Sequence, residues 1–161
     1  MKIFKHEVSG TVITTVFSIL GTALVIILGS YNVKDLSEAK KAEKVLEELK
    51  GLRVALEEYY QLTREYPNLT LEGAKDNLRI LDYTDENGNL ISFAKIYGHD
   101  TLPKTPAVED IVESNAIYNT NNFKQDENYG GWNYDYTGKT GEIHANLPIN
   151  IYSQGIDWNN Y

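Results

Sequence analysis

The chain has no cysteine, so neither a disulfide framework nor a thiolate metal site can form. Histidine is nearly as scarce: His6, His99 and His144 are scattered, without metal-ligand spacing. Basic residues are outnumbered, 15 Lys and Arg against 23 Asp and Glu, giving a formal net charge of −8 and a pI near 4.9. A surface that acidic repels a phosphate backbone, which argues against nucleic acid as a partner. No glycine-rich loop leads into a helix and no nucleophile elbow is present, so the sequence carries no sign of an enzyme. Proline is absent before Pro67, which leaves the first part of the chain free to be one helix.

What the sequence does have is a run without charge. The 21 residues from Thr11 to Tyr31 contain no Asp, Glu, Lys or Arg, and a helix needs ~20 residues to cross a hydrocarbon core. In such a core every backbone N–H must pair within its own segment, which enforces helix. A cleavable secretory signal is the competing reading. Its apolar region is usually ~7–15 residues and ends at a small-x-small site, whereas here a helical pattern continues directly through "SYNVKDLSEAKKAEK". A retained transmembrane helix over residues 11–33 is therefore expected, after a basic tail or leader over residues 1–10. Lys2 and Lys5 place that N-terminus in the cytoplasm by the positive-inside rule, and the acidic body on the far side of the membrane.

Beyond the run, Ala42, Val45, Leu49, Leu52, Leu56, Tyr59 and Tyr66 recur at steps of three and four, the mark of one apolar helix face. Leu46 and Tyr60 widen the stripe, while Lys and Glu cover the other side. The spacing predicts a helix over 35–66 that continues the transmembrane segment, with a bend near Asn32 to Asp35, and ends at Pro67. A coiled-coil seam would need more clean heptads than are available. The tyrosines at its end suit a sheet surface, so the stripe is expected to pack on Trp132 and Tyr134.

The remainder, residues 34–161 in all, reads as an extracytoplasmic domain. Residues 67–128 are mixed: a short helix in "LTLEGAKDNLRIL", a turn at Asn87–Asn89, a strand in "LISFAKIYG", an extended "LPKTP" and an Asn-rich surface loop over 113–128. Over 129–161, "GGWNYDYT", the turn "GKTG" and "EIHANLPINIYSQGIDW" predict three antiparallel strands, with Trp132, Tyr134 and Tyr136 sharing one face. The fold class is therefore α+β, a long N-terminal helix packed on a small antiparallel sheet. Asp126, Glu127, Asp135 and Asp157 offer oxygen ligands of the kind a hard cation takes, but ordinary acidic loops are the preferred reading of them.

The order of these features resembles the type IV pilin family, and most closely the pseudopilins of bacterial type II secretion. The helix ends in the family's "AL…YY…YP" pattern at Ala55, Leu56, Tyr59, Tyr60, Tyr66 and Pro67. A second stretch matches at Gly130, Gly131, Trp132, Tyr134, Thr140, Gly141, Ile143 and Asn146.

The resemblance implies a structural subunit of a pilus-like filament. Its partners would be other pilin-like subunits and the secretion platform of the inner membrane, and its work would be protein secretion by helix-driven assembly. It implies processing of a leader at Gly10 and Thr11, with the methylation that accompanies it. It also puts Thr15 at the assembly position, where the family carries Glu. No cofactor is expected; Asp157, in "IYSQGIDW", stands where a Ca²⁺ ligand of the family would. The alternative is a single-pass anchored binding or sensor domain that does not polymerise.

Overall fold

The computed structural model describes residues 10–124 and 129–161; the side chains of residues 10–28 and of Tyr31 lie outside that description. Helix α1 runs over Gly10–Thr63 as a single element. One compact unit comprises Glu38–Tyr161, and the residues up to Ser37 form a separate one. In the latter, Gly29, Ser30 and residues 32–37 are exposed.

Within the body, the apolar stripe is the side of α1 that forms the core. Ala42, Val45, Leu49, Leu52, Leu56 and Tyr59 are all buried, because steps of three and four residues return to one helix face. They share a hydrophobic core with Trp132, Tyr134, Phe93, Tyr152 and Trp158, as the stripe's spacing predicts. On the other side of the same helix, Val54 and Leu62 are 59% and 60% exposed.

Helix α1 ends three residues earlier than expected from Pro67. The Thr63 hydroxyl turns back to the Tyr59 carbonyl at 2.9 Å, and Arg64 adopts a left-handed φ of 62° while its N–H donates to the Tyr60 carbonyl at 2.8 Å. That is an αL C-cap built without glycine. Tyr66 then stacks back on Tyr60, ring centroids 4.7 Å apart. A left-handed non-glycine residue costs about 1–2 kcal/mol, part of which Gly would give back as unfolded-state entropy. Arg64→Gly is therefore expected to raise the melting temperature of the body by about 2–5 °C, measured by near-ultraviolet circular dichroism. A lower melting temperature would show that the arginine side chain repays its backbone strain.

The middle of the chain departs from the expected strand in "LISFAKIYG". Strands β1 (Tyr83–Thr84) and β2 (Leu90–Ile91) form a short antiparallel hairpin. Its turn is organised by Asp85, whose carboxylate accepts the N–H groups of Asn87 and Asn89 at 2.9 and 2.7 Å. Phe93–Tyr97 is instead helix α2. Ser92 caps it by accepting the Lys95 N–H, and Gly98 closes it at φ 83°. The short helix expected just before is a single 3-10 turn, Leu78–Leu81.

A larger correction concerns the main sheet. It has three strands in the order β3 (Ile117–Asn119), β4 (Trp132–Tyr134), β5 (Ile143–Ala145). β4 and β5 are antiparallel as expected, but β3 comes from the Asn-rich segment and runs parallel to β4. The residues beyond Leu147, expected as a third strand, form turns. Asn150, Ser153 and Gly155 have left-handed φ of 58°, 55° and 71°, which no strand tolerates. Every residue of β4 and β5 is buried. β4 and β5 therefore have no solvated face, and strict alternation is lost in them, while Asn119 of β3 is exposed. Phe123 lies against His144 with ring centroids 4.3 Å apart, so the segment after β3 covers the side that the helix does not.

Candidate functional site

The leader and assembly residues named from the sequence lie largely beyond view. Residues 1–9 are outside the described residues, and Gly10, Thr11 and Thr15 are described only as helical backbone of α1. Among the described residues no helix is long and apolar enough to cross a membrane; the side chains of most of Thr11–Tyr31 lie outside them.

Asp157 is occupied locally. Its carboxylate accepts the Asn159 N–H at 3.1 Å and the Asn160 amide at 2.6 Å, which makes it the organiser of a C-terminal turn. Asp135, 3% exposed, does the same for the β4–β5 loop. One oxygen accepts the Gly138 N–H and the other the Thr140 hydroxyl, both at 2.7 Å. Asp126 and Glu127 lie outside the described residues. Among the described residues no group of three His, Asp or Glu is placed to hold a metal ion.

Two arrangements on the body were not foreseen from sequence. The first is a clamp on the sheet edge. β5 is an edge strand, and an unpaired edge carbonyl invites association. Arg53, reaching from α1, donates through Nε and Nη2 to the Ile143 carbonyl at 3.2 and 2.9 Å, and Nη2 also reaches the Tyr161 carbonyl. Burial lowers its pKa, and Glu142 and Tyr161 oppose that shift. The guanidinium stays charged nonetheless, since arginine begins above 12. Its planar fork ties helix, sheet edge and chain end together.

The second is a cleft of about 520 Å³ at the end of α1. Its aromatic side is Tyr60, Tyr66 and Tyr136. Tyr60 is backed by Tyr66 and Tyr136 by Tyr134, the latter pair 6.4 Å apart and nearly parallel. Burial raises the Tyr66 pKa, with Glu57 adding to the shift, so its hydroxyl stays a neutral donor. Below these rings the support is firm: the Tyr134 hydroxyl donates to the Pro67 carbonyl at 2.9 Å, fully buried. The polar side holds Arg64 and Lys139, with Glu65 and Thr137. The sequence signals for this cleft were present but separated. Tyr60 and Tyr66 belong to the helix end and Tyr136 to a hairpin 70 residues later; the Tyr134–Pro67 bond and the close approach of Tyr66 to Gly141 bring them together.

Comparison of the chain with family profiles, with curated proteins and with solved structures finds no match.

Proposed function

We propose that the chain is a structural subunit of a type IV pilus-like or pseudopilus filament, acting in protein secretion by helix-driven assembly. The observation that carries the reading is helix α1. One uninterrupted element holds both the uncharged run and, from Ala42 to Tyr59, the buried spine of a small α+β body. A subunit of this kind would rest in the inner membrane through its first helix segment, with the body outside. It would enter a fibre when that segment leaves the lipid for a bundle of like helices. The work is mechanical and requires no catalytic residue of this chain; the energy would come from an ATPase in the cytoplasm. A second reading, an anchored domain that does not polymerise, draws support from the aromatic cleft, since a cleft can serve recognition without a filament.

Thr15 gives the filament reading its test. A carboxylate buried in a helical bundle is costly unless paired, so the Glu common at that position gains a partner from a neighbouring subunit. Thr15 offers a hydroxyl worth about 1 kcal/mol. The wild-type subunit is therefore expected to be scarce or terminal in its fibre, and Thr15→Glu to increase its share severalfold if Gly10 is the cut site. N-terminal mass spectrometry of the native protein and subunit counting in sheared fibres make the measurement. An uncut N-terminus on every copy would remove the processing model. Absence of the chain from any fibre would leave the anchored reading.

A further inference from the structure

We propose that the cleft lined by Tyr60, Tyr136, Arg64 and Lys139 is a binding site for a short saccharide bearing a uronate carboxylate. The proposal stands whether the helix polymerises or remains in a bilayer.

The first argument is backbone strain. Among the described residues, the non-glycine positions with left-handed φ are Arg64, Glu109, Lys139, Asn150 and Ser153. Both cations of the cleft are in that set, at φ 62° and 59°. Glycine or asparagine would satisfy either turn with less strain. Strained residues persist where the surroundings over-determine them, and they cluster at ligand sites. A cation at both positions, across a helix end and a hairpin distant in sequence, places two positive charges at one cleft. Glu65 lines the cleft beside them and Glu57 acts on Tyr66 from outside the lining, so the lining itself carries two cations and one acid on a chain of net charge −8. A carboxylate is the anion this suits. A polyphosphate or nucleic acid would gain the same two contacts but meet the repulsion of the whole body.

The second argument is the wall. Tyr60 and Tyr136 are each held from one side by a second ring, which leaves flat, pre-ordered apolar faces at low entropic cost. Their hydroxyls make no hydrogen bond among the described residues. Thr137 Oγ1 donates to Asn119 Oδ1 at 3.2 Å and keeps lone pairs to accept. Flat apolar faces ringed by hydroxyls and cations match a pyranose, with C–H groups on one face, equatorial hydroxyls at its rim and a carboxylate at C5. A volume of about 520 Å³ falls in the ~300–1,000 Å³ range of small-ligand sites.

The test is calorimetric titration of the full chain in detergent micelles with hyaluronan tetrasaccharide. Neutral chitotetraose and a tetraglutamate peptide serve as comparisons. The uronate ligand is expected to bind at least tenfold more tightly than either. Arg64→Gly with Lys139→Gly should melt at a higher temperature than wild type and lose at least tenfold in uronate affinity. Arg64→Gln with Lys139→Gln, which keeps the strain and the size, should lose affinity equally. Equal binding of tetraglutamate would overturn the sugar assignment in favour of acidic peptide. Undetectable uronate binding, or unchanged affinity in the glutamine variant, would overturn the site.

Discussion

Gly131→Ala is expected to cost at least ~3 kcal/mol, enough to leave much of a domain of ordinary stability, ~5–15 kcal/mol, prone to unfolding at growth temperature. Two effects add. Gly131 sits at φ 82°, where an L-residue is strained. A Cβ there would also lie 2.1 Å from the Ala116 carbonyl oxygen and 2.8 Å from its carbon, both backbone atoms of the strand-forming segment. That oxygen accepts the Trp132 N–H at 2.8 Å, so the clash falls on the bond that starts the β3–β4 pairing. The Gly131 N–H donates to the buried Thr105 hydroxyl at 2.8 Å, and its carbonyl accepts the Asn146 N–H at 2.9 Å, so the residue cannot swing aside without orphaning both. Gly88→Ala is the control. Its φ is 84°, but a Cβ there meets nothing within 4 Å, so only backbone strain of about 1–2 kcal/mol is expected. Urea unfolding followed by the fluorescence of buried Trp132 and Trp158 measures both. If the two variants differ by less than ~0.5 kcal/mol, the close approach of β3 is not real.

That same approach marks where the sequence stops being readable. Helix periodicity is local, so the stripe from Ala42 to Tyr59 could be placed without knowing what it touches. The same holds for the turns at Asn87–Asn89 and Gly138–Gly141, whose geometry is set by Asp85 and Asp135 just upstream. β3 is different. Ile117–Asn119 is short and polar-flanked, and its parallel partner is chosen by Gly131 and Thr105, neither of which announces a strand. Asn133 and His144 fall on the face opposite Trp132 and Tyr134, where alternation puts water, yet both are buried, His144 against Phe123. "LISFAKIYG" was ambiguous for another reason: short apolar runs fit helix and strand alike, and the caps Ser92 and Gly98 were the deciding signal. Of the site, each ring and cation was visible, but their meeting was not, because it depends on contacts between the helix end and a distant hairpin. The leader, Thr15 and the uncharged run remain arguments from sequence.

Leu56→Ala is expected to cost about 2–5 kcal/mol, the range for a buried leucine that loses its transfer energy and leaves a cavity. Leu56 is 2% exposed, in the same core as Trp132 and Tyr134, and between Leu52 and Tyr59 on the buried face. Leu62→Ala, about one and two-thirds turns further along the same helix, removes the same atoms from a side chain that is 60% exposed. It should change stability by no more than ~0.5 kcal/mol, since leucine and alanine differ little in helix propensity. The pair thus separates packing from propensity within one element. The comparison also bears on the filament reading. Leu62 and Val54 lie on the face of α1 that the body leaves open, so Leu62→Ala should be silent in the isolated subunit whatever it does to a fibre. Urea unfolding of the full chain in micelles reports both variants. Similar losses for Leu56→Ala and Leu62→Ala would mean that the helix is rotated from its assigned face. A cost below ~0.5 kcal/mol for Leu56→Ala would mean that the stripe is not the core of this body.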